Sequence, residues 1–270
     1  MGRRGCTAAG RRPPLGLNAK RLTTLAADIL GRKSSGLAGG AKVEDPPAPP
    51  AQATPAEPRP DLPVPGGDRP PPPDARPADW GRRFDPDGDC TFKVQGGALT
   101  IDVPPTPHDL SIERARTNAP RMLREVDGDF RLQVKVCGDI QPMAAGSVPG
   151  RLSFQAGGIL LWSDEGNYVR FERAAFNRDG KITTYAAFES RINGRAGGAP
   201  ALDIPDKDAY LRLERRGNQL RAFVSTDGES WRLQQNIDID LPPKVQVGVV
   251  AINAAQQPLQ VRFEELQMDH

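Results

Sequence analysis

The chain has 270 residues, with 36 Lys and Arg against 34 Asp and Glu and 6% aromatic residues. Near-balanced charge argues against a nucleic-acid backbone as the main ligand, and without a run of 18 apolar residues no helix can span a membrane. Cys6, Cys90 and Cys137 are too few and too scattered for a disulfide scaffold or a zinc site, so buried free thiols are expected, with a Cys90–Cys137 bridge as the alternative.

The N-terminal 33 residues hold eight basic side chains against Asp28 alone, a local +7 that leaves the remainder near −5. Residues 1–40 read as a basic arm in which Leu22, Leu25, Ala26 and Ile29 recur at helical spacing and Gly31 ends a short amphipathic helix. Met1–Arg12 is a charged stretch, but Asn18, Lys20, Arg21 and Asp28 break any apolar continuation, so no signal peptide is expected and the cytoplasm is the default compartment. A true start upstream of Met1 would hide an export sequence and place the protein outside the cytoplasm. Fourteen of the 28 prolines lie between Ala41 and Pro77, a stretch without the apolar side chains needed to repay ordering; residues 41–77 are expected to be a disordered Pro-rich linker. Residues 78–270 form the folded domain, expected to be monomeric.

From Cys90 the pattern is period-2 strands broken by turns. Phe92 and Val94 lead through Gly96-Gly97 into Leu99, Ile101 and Val103; Asp127-Gly128 precedes Leu132, Val134 and Val136, which alternate with Arg131, Gln133 and Lys135. Gly157 to Trp162 is nearly all apolar, the mark of a central strand covered on both faces, and Tyr168–Glu172 and Ile182–Phe188 follow it. Asn193–Gly198 reads as a Gly-rich, mobile loop. Leu211 and Leu213 pair through Arg216-Gly217-Asn218 with Leu220, Ala222 and Val224; Ser225–Trp231 is a hairpin connection; Val245–Ala251 and Val261–Phe263 close the chain. About a dozen strands predict an all-β fold, a two-sheet antiparallel jelly-roll sandwich with five to seven strands per sheet.

Three blocks carry a family resemblance: Gly157-Gly-Ile-Leu-Leu-Trp-Ser-Asp-Glu-Gly-Asn-Tyr-Val-Arg170, Tyr210-Leu-Arg-Leu-Glu-Arg215 and Ser225-Thr-Asp-Gly-Glu-Ser-Trp231. Over Ala78–His270 the chain resembles the bacterial and fungal domain of unknown function labelled "regulation of enolase protein". That resemblance implies a concanavalin A-like sandwich, in a superfamily of lectins, glycosidases and interaction modules, and a module appended to larger bacterial signalling or surface proteins.

If Ile159 and Leu161 face the inter-sheet core, then Leu160 and Trp162 lie on the opposite face, with Tyr168, Arg170 and Glu172 beside them and Tyr185 on the next strand. Trp162, Tyr168, Arg170, Glu172 and Tyr185 are the candidate glycan-binding residues, because a pyranose offers one apolar face and a belt of hydroxyls. The competing reading buries Trp162 and Tyr168 in the core or under residues 193–200. Asp85-Pro-Asp-Gly-Asp puts Asp85, Asp87 and Asp89 at alternate positions, an oxygen-rich arrangement suited to Ca²⁺ and equally to a solvated turn. No other cofactor is expected. His108 and His270 are the only histidines; His108 reads as a surface imidazole, and a transition-metal centre or hydrolytic triad is not expected. Glycoside hydrolysis needs two carboxyl groups about 5–9.5 Å apart; Asp238 with Asp240, or Glu172 with Glu189 across neighbouring strands, come nearest. Three functions follow in order: a noncatalytic glycan-binding accessory module, a protein-interaction domain, and a glycoside hydrolase.

Overall fold

The computed structural model describes residues 79–270; the expected basic arm, its helix and the Pro-rich linker lie outside the described residues. In chain order the strands are β1 (Arg82–Phe84), β2 (Thr91–Gln95), β3 (Ala98–Val103), β4 (Leu110–Ser111), β5 (Arg116–Thr117), β6 (Arg121–Asp127), β7 (Phe130–Cys137), β8 (Ser153–Asp164), β9 (Asn167–Arg178), β10 (Lys181–Ile192), β11 (Arg195–Gly198), β12 (Leu202–Asp203), β13 (Ala209–Arg216), β14 (Gln219–Ser225), β15 (Arg232–Asp238), β16 (Lys244–Asn253) and β17 (Leu259–Asp269). Among the described residues the one helical element is a 3-10 turn, Ile112–Arg114, and no helix is long and apolar enough to cross a membrane.

The strands build two antiparallel sheets. The larger runs β1-β6-β16-β8-β9-β10-β11, with β12 also paired to β10; the smaller runs β15-β14-β13-β7-β17-β3-β2. β4 and β5 form a separate two-stranded ribbon. The expected all-β, two-sheet antiparallel sandwich is thus what forms; the smaller sheet has seven strands, within the expected five to seven, and the larger has eight. The strands that the sequence pattern does not announce are short or polar: β1, β11 and β12 have two to four residues, and β15 carries no run of apolar side chains.

Alternation decides which residues meet between the sheets. Ile159, Leu161, Val169, Phe171 and Phe188 of the larger sheet pack against Val134, Val136, Leu211, Leu213 and Phe263 of the smaller one. β8 is central, as its composition predicts, and is buried continuously from Ser153 to Leu161. Gly96 and Gly97 both take positive φ, 58° and 80°, between β2 and β3, the backbone twist that a two-residue hairpin needs.

Residues 193–198 correct the expectation of a mobile loop. Asn193 and Gly194, with φ of 51° and 73°, make a tight turn, and β11 pairs back on β10 from Ile192↔Arg195 to Glu189↔Gly198. Asn-Gly is itself a strong hairpin signal, here hidden among neighbouring glycines. Cys90 and Cys137 are buried free thiols.

Candidate functional site

The face of the larger sheet turned away from the smaller one carries a second apolar cluster. Phe154, Leu160, Tyr168, Phe176 and Tyr185 lie there with Leu110, Ala119 and Val148, which come from outside the sheet. The β4–β5 ribbon and residues 138–152 therefore form a cover over this face. Cross-strand register sets Trp162 beside Tyr168, Leu160 beside Arg170 and Gly158 beside Glu172, while β10 aligns Glu189 with Arg170. All five predicted ligand residues are on this one face, as alternation required.

Their exposure differs. Trp162 is half-buried and stacks on Tyr168 with centroids 5.4 Å apart and planes 18° apart; the Arg121 guanidinium lies 4.7 Å from the Trp162 ring centroid. Tyr168, Arg170, Glu172 and Tyr185 are buried. What covers them is the ribbon and residues 138–152 rather than residues 193–200, because the latter are engaged as β11 at the sheet edge.

The buried floor is ionic. Arg170 is its hub: its guanidinium pairs with Glu189, reaches Asp109 Oδ1 at 3.4 Å and brings Nε to 3.8 Å from Glu172 Oε1. Asp109, immediately before β4, also binds Arg151 and accepts the Leu110 amide at 2.9 Å. Arg191 holds Glu113 of the cover at 2.9 Å, the Tyr168 hydroxyl donates to the Leu110 carbonyl at 3.0 Å, and Thr117 Oγ1 donates to Glu165 at 2.8 Å. The cover is thus fastened to the sheet by polar contacts around an apolar patch.

Glu172 stands out within this network. Both its carboxylate oxygens are buried without a hydrogen-bond partner, as are Nε of Arg151 and Arg170. Burial pushes the Glu172 carboxyl up to about 7, against the pull of Arg170. Glu189 goes the other way: burial opposes ionisation, but the charge and hydrogen bond of Arg170, with Arg191 and Arg151, hold it below the usual carboxylate range. Burial lowers Arg151 to about 10, with Arg170 adding repulsion, and raises Tyr185.

The three loop carboxylates each have a different partner. Asp85 pairs with Arg83, Asp87 accepts Asn118 Nδ2 at 2.6 Å, and Asp89 Oδ1 lies 2.9 Å from His108 Nε2. Asp89, Cys90 and His108 bring one ligand atom each to within 4.8 Å of the others. His108, expected at the surface, is fully buried, because its backbone bridges to Asn253 of β16 through two hydrogen bonds of 2.9 and 3.0 Å. The Ser225–Trp231 block is structural: Asp227 Oδ1 accepts the amides of Glu229 and Ser230, and Arg212 stacks 3.8 Å from the Trp231 ring centroid.

Asp109, Arg151 and Glu113 escape sequence reasoning. Their one signal is indirect: an arginine such as Arg170 on a strand of otherwise buried residues requires a counter-charge, but nothing local names it.

The chain belongs to the family described as "Protein of unknown function (DUF1349)", whose model matches residues 102–270. No curated protein matches it. Its fold is similar to that of a functionally unknown protein from Saccharomyces cerevisiae, at 20% identity and a TM-score of 0.55 over 71% of this chain and 96% of that one. Weaker likenesses are to the GH43 BlXynB protein from Bacillus licheniformis (15% identity, 66% of this chain and 34% of that one, TM-score 0.49) and to the carbohydrate-binding module CBM66 from Bacillus subtilis (11% identity, 71% and 98%, TM-score 0.39).

Proposed function

We propose that this DUF1349 protein is a noncatalytic carbohydrate-binding module, residues 78–270, tethered by the linker 41–77 and the arm 1–40. Its ligand surface is the floor at Trp162, Tyr168, Arg170, Glu172 and Tyr185. The observation that carries this reading is Glu172, whose two buried oxygens lack donors beside guanidinium N–H groups that lack acceptors. Leaving a buried charged group unsatisfied costs more than the roughly 1–3 kcal/mol typical of neutral groups. Hydroxyls of a sugar both donate and accept, so one polyol satisfies carboxylate and guanidinium together. The Trp162–Tyr168 stack beside them offers the aromatic surface that a pyranose face covers.

Binding on this surface requires the cover to lift, since four of the five residues lie beneath it. The polar fastenings favour that, because water or ligand can replace each of them when they part. Against hydrolysis, Glu172 and Glu189 converge on one guanidinium, so Arg170 occupies the space between them that a scissile glycosidic bond would need. A protein-interaction role draws support from edge strands β2 and β15, which expose Val94 and Leu233, at 58% and 50%.

A glycan array probed with the full chain tests the reading, followed by tryptophan fluorescence titration of each hit. Binding by the wild type, lost in Trp162→Ala and Glu172→Gln variants that remain folded, is expected. Failure of the folded wild type to bind any glycan overturns it and directs the search to protein partners at the exposed edges.

A further inference from the structure

We propose that Asp89, Cys90 and His108, joined by Asp87, form a binding site for one zinc-type divalent cation at the root of the cover. The donors come from two stretches of chain, the loop of residues 85–90 that leads into β2 and the segment that leaves β3 for β4. The site is separate from the floor under the cover and does not depend on what that floor binds.

His108 sets the argument. Its Nδ1 donates to the Thr106 carbonyl oxygen at 3.0 Å, which leaves Nε2 as the ring nitrogen turned towards Asp89 and Cys90. A backbone carbonyl behind one ring nitrogen is the arrangement that orients metal-binding imidazoles. Nε2 lies in hydrogen-bond contact with Asp89 Oδ1 at 2.9 Å, a contact that a bound cation would replace; Cys90 Sγ is 3.5 Å from that same oxygen, and Asp87 Oδ2 is 3.8 Å from Nε2. Asp85, 5% exposed, pairs with Arg83 and accepts the Cys90 amide at 3.3 Å through Oδ2, while its Oδ1 is buried without a hydrogen-bond partner.

The spacings suit a small tetrahedral ion. With bonds of about 2.0–2.1 Å to nitrogen and oxygen and about 2.3 Å to sulfur, the edges of the tetrahedron are about 3.4 Å between N and O and about 3.6 Å between S and O. The 3.5 and 3.8 Å separations are close to those edges, and the 2.9 Å contact opens by about half an ångström when the exposed Asp89 side chain rotates. A thiolate and an imidazole select a zinc-type ion over calcium, which takes oxygen ligands. Burial and the two carboxylates Asp85 and Asp89 hold the Cys90 thiol protonated; a bound cation reverses that balance, the thiol proton passing to solvent as the sulfur ligates. Of the four ligands, Asp89 also borders a shallow cleft lined by Thr91, Asp102 and Pro104.

The test uses the full chain without a polyhistidine tag, titrated with Co²⁺ and then Zn²⁺. Expected is one equivalent of Co²⁺ bound with a sulfur-to-cobalt charge-transfer absorption that is absent in Cys90→Ser and retained in Cys6→Ser and Cys137→Ser. Zn²⁺ should displace the signal stoichiometrically while excess Ca²⁺ leaves it, and Asp89→Asn should weaken binding by at least about tenfold. A readout independent of variants is alkylation mapped by mass spectrometry, in which Zn²⁺ slows modification of Cys90 and leaves Cys137 unchanged. Absence of both the absorption and the protection in folded wild type overturns the proposal and leaves His108 and Asp89 as a buried pair only. Persistence of the absorption in Cys90→Ser, or its loss to Ca²⁺, overturns it equally.

Discussion

Replacing Glu172 with Gln should stabilise the protein above neutral pH while abolishing ligand binding. The folded-state carboxyl titrates near 7 and the ordinary one at 4.5, so between these values the folded chain keeps a proton that the unfolded chain has released. Stability therefore falls as pH rises across that window, by about 1.4 kcal/mol per unit and about 3 kcal/mol in all, and is flat with respect to this group below it. Gln at the same position is uncharged throughout and removes the loss. For a domain of this size, about 3 kcal/mol corresponds to a rise in Tm of roughly 6–12 °C at about pH 8, shrinking towards zero near pH 4.5. Urea unfolding of wild type and variant from about pH 4.5 to 8 measures the difference directly. A variant less stable than wild type at pH 8, or a difference that does not change with pH, would refute the placement of Glu172 as a buried acid without donors.

Asp109→Asn strips the counter-charge from Arg151 and Arg170 while keeping the side-chain oxygen that accepts the Leu110 amide. The expected loss is about 3–5 kcal/mol, seen as a lower urea midpoint, with part of it recovered when Arg151→Met is added. Tyr168→Phe removes the hydroxyl that holds Leu110, for about 1 kcal/mol, and amide exchange in residues 110–117 should quicken while that of β8 and β9 does not. Gly158→Ala would press a methyl into the Phe171 carbonyl oxygen of the adjoining strand; a loss of about 1–3 kcal/mol or failure to fold is expected, against a smaller loss, at most about 1 kcal/mol, for Gly180→Asn, where space is open and only the positive φ of 81° is strained. A Gly158→Ala variant with unchanged Tm would contradict the close strand approach at that position.

The sandwich is legible in the sequence because burial on one face writes itself as period 2. Leu132, Val134 and Val136 against Arg131, Gln133 and Lys135 state both the strand and its orientation, and the run Gly157–Leu161 states that β8 is central. The same periodicity groups Trp162, Tyr168, Arg170, Glu172 and Tyr185 on one face, and strand register places them there. What that face meets is not legible. Asp109 binds partners 42 and 61 residues away, and contacts at that separation leave no local pattern. His108 follows a proline in a polar stretch, and its burial comes from a backbone bridge to Asn253, which side-chain chemistry does not announce. β15, Arg232-Leu-Gln-Gln-Asn-Ile-Asp238, is an edge strand with partly wet faces, so its alternation is too weak to register.

The β4–β5 ribbon pairs with neither sheet through strand hydrogen bonds of its own. Its opening should therefore be a local event, set by the burial of Leu110 with a few ion pairs and hydroxyl contacts and not by the cooperativity of fifteen other strands. Under the proposed function, a ligand bound for the floor would have to wait for that event. Its observed association rate should rise with concentration only at first and then level off at the rate at which the ribbon parts, a ceiling common to every ligand of the site. On the proposed reading, affinity and speed are governed by different residues: the floor sets how tightly a ligand would stay, and Asp109, Glu113 and Thr117 set how soon it would arrive.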